Sequence, residues 1–318
     1  MDTVRARLIY NPTSGREEVR RRLPAILQRL ERGGIETSCH ATEGEGDASR
    51  AALLAARRGY DIVIAAGGDG TLNEVVSGLS EHDSRPALGI LPLGTTNDFA
   101  RAHGIPRNWA DACDLIVRRY TVPVDVGKAG DKYFINIAGG GSLTELTYEV
   151  PSKLKTMVGQ LAYYMKGLEK ITNLRPVRMK IKANGAEEID EELMLFLIAN
   201  SSSVAGFDRL APDASTNDGV FDVIALRKCN IAEFIRMATM VIRGEAVKHD
   251  PHFIYFQSDS IEVESDSRVQ LNLDGEFGGT LPCKFTMLAS HLNVIVDEQG
   301  ESSYRRGSGN GNVRSLPS

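Results

Sequence analysis

Apolar and polar positions along the chain follow two regimes that meet near residue 126. Before it, apolar runs of strand length cover residues 4–10, 35–42, 61–66, 87–91 and 122–126. The third of these is apolar after its leading Asp61, as a strand buried on both faces of a parallel sheet should be. Helical stretches separate the runs. The segment REEVRRR opens one, Pro24 should end or restart it, and Ile26, Leu27 and Leu30 give the second piece an apolar stripe as far as Gly33 and Gly34. Residues 47–58 read as an Ala-rich helix, another helix should follow Gly70, a short one FARAHG lies at 99–104, and a last one at 108–120. Strands alternating with helices predict an open three-layer α/β domain, with ligand loops at the carboxyl ends of its strands.

After about Gly127 the texture changes. Residues 132–138, 177–183, 193–200, 219–226, 260–264 and 269–274 alternate or run apolar at strand length, so the second half should be a mostly antiparallel β-sandwich. A helical insertion is expected at 151–172, with Leu161, Tyr164, Leu168 and Ile171 on one stripe and Lys153, Lys155, Lys166 and Lys170 nearby. It suits either a core-facing helix with solvated lysines or an interfacial one on anionic lipid. The strand at 291–297 is free to return to the first sheet. The expected division is therefore residues 1–125 plus 289–304 as the α/β domain, 126–288 as the β-rich domain, and 305–318 as a disordered tail rich in Gly, Ser and Asn.

Composition narrows the class. The chain has 318 residues, enough for two cores, and 42% apolar with 25% charged residues is ordinary for a globular protein. A net charge of −5 gives no global field for nucleic acid, so none is expected as a partner, and a membrane contact would need a local basic face. Cys39, Cys113, Cys229 and Cys283 lie far apart, with neither a C-x-x-C pair nor a His at ligand spacing, which fits a reducing cytoplasm. The first residues, MDTVRARLIYNP, hold no apolar stretch of the length expected of a signal peptide, and there is no run of about 18 apolar residues, so no membrane span is expected.

The candidate chemistry sits in three loops. Gly67, Gly68, Asp69, Gly70 and Thr71 join the buried strand to a helix, and glycine there lets backbone amides approach an anion closely. A turn of this kind is by itself more often a plain tight connection than a phosphate site. The chain has neither the P-loop nor the Rossmann glycine pattern. Asp69 inside the loop would repel phosphates unless a cation lay between, which points to a magnesium nucleotide. Asn11, Pro12, Thr13, Ser14 and Gly15 leave the first strand, and Gly94, Thr95, Thr96 and Asn97 leave the fourth, so the three loops could share one pocket for phosphate and base. Asp125 in an apolar strand needs partners, and Asp98 and Asp69 are candidates. Asp218 lies in an N-D-G turn that suits a plain hairpin or a hard cation. Asp274 and Gly275 again signal a hairpin, with Glu276 free to project towards a cleft.

The motifs NPTSG, GGDGTLNE, PLGTTNDFAR, PDASTNDG and LNLDGE, in this order over residues 4–297, together with YEVPSKLK and AYYMKG, resemble the soluble bacterial diacylglycerol kinases. That branch belongs to a superfamily with the sphingosine kinases and, more remotely, NAD kinases and phosphofructokinases. The resemblance implies transfer of the γ-phosphoryl group of MgATP to the free hydroxyl of diacylglycerol at the cytoplasmic membrane face, giving phosphatidic acid, by a peripheral protein on an anionic lipid surface. It implies nucleotide contacts at residues 11–15, Thr42, Gly68, Asp69, Gly70, Thr71, Leu72, Asn73, Glu74 and Thr95, and an acidic network of Asp69, Asp98 and Asp125 near a catalytic Mg²⁺. The general base falls on Glu276 with Asp274 beside it. A second, structural Mg²⁺ is implied at Asp218 with the carbonyls of Ser215 and Val220, Ser215 standing where relatives often carry lysine. A homodimer is allowed. The alternatives are a lipid kinase for a long-chain base or polyprenol, and a nucleotide- or lipid-binding regulator without turnover; a soluble NAD kinase fits the insertion and the LNLDGE context less well.

Overall fold

The computed structural model describes residues 3–142, 175–185, 188–201, 215–230, 232–233, 236–237, 239–240 and 250–298. The helix expected at 151–172 and the tail at 305–318 lie outside the described residues.

The first half alternates as its pattern predicts. It runs β1 (Val4–Tyr10), α1 (Glu18–Arg32), β2 (Ile35–Ala41), α2 (Asp47–Arg57), β3 (Ile62–Gly67), α3 (Asp69–Ser80), β4 (Ala87–Pro92), α4 (Asp98–Ala102) and α5 (Trp109–Arg118). All six residues of β3 and of β4 are buried, so these two strands form the middle of the layer. Four strands pair in parallel in the order β4-β3-β1-β2. Right-handed crossovers from this order put α1 on one face and α2 with α3 on the other. Pro24 does not interrupt α1, contrary to expectation: the face carrying Val19, Ile26 and Leu30 is buried, and that packing outweighs one missing backbone hydrogen bond.

The second half is made of β5 (Thr121–Ala129), β6 (Lys132–Phe134), β7 (Ile137–Gly140), β8 (Val177–Ala183), β9 (Ile189–Ala199), β10 (Phe221–Arg227), β11 (Phe253–Ser258), β12 (Ser260–Ser265), β13 (Gln270–Leu273), β14 (Glu276–Thr280) and β15 (Cys283–Ile295). Its pairings are antiparallel, and Phe134, Phe196, Phe221 and Phe285 pack in its core, separate from the core of the α/β half. The single strand expected at 132–138 is two strands with a break at Ile135 and Asn136. The return strand also differs. β15 starts at Cys283 rather than at 291, and its 13 residues run through both halves. Residues 283–286 pair with β12, whereas Val294 pairs in parallel with Leu88 of β4. Between them the ladder with β5 shifts register from Leu288 to Leu292, a bulge at which Ser290 takes φ 50°. One continuous strand thus fixes the two cores to each other.

Candidate active site at the glycine turn

The turn after β3 is held by backbone contact with the turn after β4. A Cβ on Gly94 would lie 2.3 Å from the Gly68 Cα, so the loop after β4 cannot carry a side chain where the two touch. A Cβ on Gly68 would face Ser14 Oγ at 3.9 Å, which brings in the loop after β1. In that loop Asn11 Oδ1 accepts from the Thr13 amide at 2.9 Å and its hydroxyl at 2.8 Å, an Asx turn that directs the chain over the strand ends. The Thr42 amide donates to the Tyr10 carbonyl at 2.9 Å, placing Thr42 beside Asn11. The predicted meeting of three loops at the carboxyl edge of the parallel strands is therefore observed, with the N-terminus of the twelve-residue α3 opening among them.

Within α3 the expected nucleotide residues divide. Gly68 is the extended cap residue and Gly70 is exposed, whereas Thr71, Leu72 and Asn73 are buried. Asn73 Oδ1 has no hydrogen-bond partner among the described residues. Glu74 Oε2 accepts from the Ala48 amide at 3.0 Å, fixing the start of α2 to α3. Thr95 is exposed, and its carbonyl accepts from Arg107 Nη2 at 2.6 Å.

Asp69 has a structural task that its position in the loop does not reveal. Its two oxygens accept from the amides of Asn97 and Asp98, each at 2.8 Å, so it clamps the third loop to the first. Asp98 in turn pairs with Arg101 at 2.8 Å. Asp125 reaches elsewhere: Oδ1 accepts from the Ser290 amide at 2.6 Å and Oδ2 from Gly219 at 2.8 Å. The bulge in β15 leaves the Ser290 amide without a ladder partner, and this carboxylate supplies one. Burial pushes the Asp125 carboxyl above its ordinary range. The tie between the three aspartates runs through α4: His103 at its end accepts or donates at Thr216 Oγ1 (3.0 Å), and the Thr216 carbonyl accepts from the Asp125 amide at 2.7 Å. His103 is buried, stacked on Phe99 at 3.9 Å, and desolvation lowers its pKa to about 4.

The loop with Asp218 lies next to Asp125. Burial, then the charges of Asp222 and Asp125, raises Asp218 to about 6, while the Val220 amide at 3.2 Å works against the rise. Ser215 Oγ bonds Asn217 Oδ1 at 2.6 Å, leaving its carbonyl to other use.

Asp274 and Gly275 both take positive φ, 50° and 96°, as a two-residue type I′ hairpin requires, and they turn β13 into β14. The Asp274 carboxylate accepts from the amides of Ile135, Asn136 and Ile137 at 2.7, 2.9 and 2.8 Å. These three donors explain why one expected strand is broken in two. Burial nevertheless dominates and raises Asp274 to about 6, with the charge of Asp69 adding to the rise. Two residues on, Glu276 Oε1 lies 3.1 Å from where a Cβ on Gly70 would stand. The carboxylate remote in sequence thus faces the glycine turn across a crevice between the two halves. Burial raises its pKa, the charges of Glu74 and Glu45 add to this, and Lys132 opposes it.

Two neighbours of Glu276 escaped sequence reasoning. Lys132 Nζ donates to the Phe277 carbonyl at 2.9 Å and sits 5.6 Å from the ring centre, and Phe277 is 51% exposed. A phenylalanine directly after a candidate base was the available signal.

The acidity of the crevice suits a divalent cation. Among the described residues no three His, Cys, Asp or Glu side chains lie close enough to hold one alone. Mg²⁺ is ordinarily bound by one or two carboxylates together with water and substrate phosphates, so the donor set fits an ion that arrives with a nucleotide.

The description "Diacylglycerol kinase catalytic domain" matches residues 5–129, and "YegS C-terminal NAD kinase beta sandwich-like domain" matches residues 146–296. A diacylglycerol kinase of Bacillus subtilis (strain 168) is 54% identical over 296 residues, covering 93% of this chain and 97% of that protein. One from Staphylococcus aureus (strain MRSA252) is 48% identical over 292 residues, 92% of each. A solved structure described as a diacylglycerol kinase from Bacillus anthracis str. Sterne superposes with a TM-score of 0.78 at 26% identity, covering 94% of this chain and 99% of that one.

Proposed function

Since this chain belongs to the diacylglycerol kinase family and is a kinase, we propose that it transfers the γ-phosphoryl group of MgATP to the free hydroxyl of diacylglycerol, yielding phosphatidic acid and ADP. The observation that carries this reading is Glu276 facing Gly70 across the crevice. A base on one wall and a helix N-terminus with close-packed glycines on the other suit an alcohol and a phosphate that must meet in line.

In this reading the amides at the start of α3 hold the phosphates, and the loops at 11–15, Thr42 and Thr95 border the nucleotide. Asp69 positions the loop carrying Asp98 rather than contacting phosphate through both oxygens, since each oxygen already accepts an amide. Mg²⁺, when bound with the nucleotide, would neutralise charge on the transferring group. Asp69 and Asp98 are the residues proposed to hold it, with Asp125 bracing them through the Thr216 and His103 bridge. The loop of Asp218 is proposed for a second, structural ion with the carbonyls of Ser215 and Val220. Glu276 accepts the proton of the lipid hydroxyl. Its raised pKa keeps the proton affinity that a base needs, and the three amides on Asp274 fix the hairpin that aims it. The half-exposed Phe277 and the Lys132 cation beside it offer an apolar and a basic contact to lipid entering at this rim. The protein would then act at the surface of an anionic membrane; among the described residues no helix is long and apolar enough to cross one.

Incubation with radiolabelled ATP and a lipid panel tests the reading. Label should enter diacylglycerol in a magnesium-dependent way; preference for a long-chain base or polyprenol, or no transfer to any lipid, would overturn it.

A further inference from the structure

Away from the crevice, a hollow of about 190 Å³ lies along α2 beside the edge strand β2. Three arginines reach it: Arg7 from β1, Arg50 from α2, and Arg58 just past the end of α2. The carboxylate in its wall, Asp47, is already engaged. Its oxygens accept from the Glu43 amide at 3.0 Å and from Arg50 at 3.2 Å, and bond His40 Nε2 at 3.0 Å. These partners hold its carboxyl below the ordinary range, the Glu43 amide most. Arg7 and Arg58 have no carboxylate partner among the described residues. Two uncompensated guanidinium groups therefore share one concave space, where their repulsion is screened less than on an open surface.

The rest of the wall tells what else would fit. Tyr60 bonds Ser38 Oγ through its hydroxyl at 2.9 Å, and its ring carries the Arg5 guanidinium at 4.7 Å. The Ser38 bond and then the charge of Arg7 lower the phenol pKa despite partial burial, so the positive field extends to this side chain. Opposite, alanines of α2 line the hollow and Leu54 stands 45% exposed at its rim. Cations and a phenol on one side with apolar carbons on the other match a small anion on a short carbon skeleton. Charge selects further: two unpaired guanidinium groups are neutralised by one dianion, and the guanidinium fork matches phosphate oxygens. The volume corresponds to on the order of six waters, room for a phosphate with a three-carbon unit.

We infer that this hollow is a binding site for a phosphate monoester, separate from the glycine turn and formed by Arg7, Arg50, Arg58 and Tyr60. Both a soluble glycerol phosphate and the headgroup of a phosphatidate lipid carry that chemistry. The inference is independent of the kinase reading, since it uses none of the crevice residues.

The test is titration calorimetry of the full chain with glycerol 3-phosphate and with inorganic phosphate, the glycine turn being saturated with a non-hydrolysable ATP analogue. Wild type should bind, and Arg7→Gln/Arg58→Gln should weaken binding about tenfold or more, as expected for lost charge-assisted hydrogen bonds. Thermal melting checks that the variant is folded; should it not fold, Arg58→Gln alone, at an exposed position, must still weaken binding. A second arm compares vesicles containing phosphatidate with vesicles of equal charge made from a phosphodiester lipid. A preference for phosphatidate that the double variant loses assigns the lipid-borne group, and binding of the soluble monoester alone assigns the free one. Displacement of all phosphate by the nucleotide analogue, affinity unchanged in the variants, or binding in neither arm would overturn the site.

Discussion

Glu276 owes its character to three things at once: partial burial, two neighbouring carboxylates, and a lysine that limits their effect. Its raised pKa has a sign that activity can read. The base must be unprotonated, so the acid limb of kcat should fall above the ordinary carboxylate range, with activity lost as pH drops through the raised value. Glu276→Gln should keep MgATP affinity, lower kcat for lipid by about 10²–10⁴-fold, and remove that limb. Radiolabel transfer across a pH series, beside a nucleotide-binding titration, checks all three, and wild-type turnover in the variant would exclude Glu276 as the base. Gly70 gives a complementary test. A methyl there would stand 3.1 Å from Glu276 Oε1, so Gly70→Ala should push the carboxylate away and depress kcat more than it alters melting temperature. Equal losses of stability and rate would point to a damaged loop instead.

At the scale of elements, legibility followed the strength of local periodicity. β3 and β4 could be read because strands buried on both faces need apolar side chains at every position, and the glycine turn because two loop backbones touch there. The start of β15 could not. Residues 283–290, CKFTMLAS, mix polar and apolar positions because one strand serves two cores and turns at a bulge between them. The break between β6 and β7 was equally hidden, since it is imposed by Asp274, some 140 residues away. Among the site residues, the loops at 11–15, 68–71 and 94–98 were legible as a group, whereas the clamping role of Asp69 and the link from Asp125 to Ser290 arise from tertiary hydrogen bonds that no local pattern encodes. The loop at Asp218 yields its own prediction. With its carboxyl raised to about 6 by burial and by Asp222 and Asp125, a divalent ion there should relieve repulsion and stabilise the fold. Millimolar Mg²⁺ should raise the melting temperature at pH 7.5, the rise should fade as pH falls through about 6 and protons compete for the carboxylate, and Asp218→Asn should abolish most of it. Differential scanning calorimetry with and without chelator measures this; an equal magnesium response in the variant would remove the ion from that loop.

The whole molecule is two cores joined by a strand common to both, with the crevice at their seam. In that arrangement Phe285 and Met287 of β15 pack in the β core and Leu292, Val294 and Ile295 in the α/β core, where Val126 and Ile135 pack as well. It also sets where a lipid would approach. Among the described residues β14 is the last strand of its sheet, with no paired strand on the outer side of the rim that carries Glu276, and Phe277 stands there half exposed. Exposing a phenylalanine forgoes about 1.5–3 kcal/mol of burial, a cost that contact with acyl chains would offset. If that contact forms, its loss should depend on how the substrate is presented. Phe277→Ser should raise KM for diacylglycerol in anionic vesicles by about tenfold, on the order of the transfer free energy of the ring, while leaving KM for ATP unchanged. A short-chain diacylglycerol dissolved below its aggregation limit needs no surface, so the variant should phosphorylate it with nearly wild-type kcat/KM. Equal impairment with both forms would assign Phe277 to the chemistry of the crevice rather than to the membrane, and no impairment with either would leave its exposure without a role in the reaction.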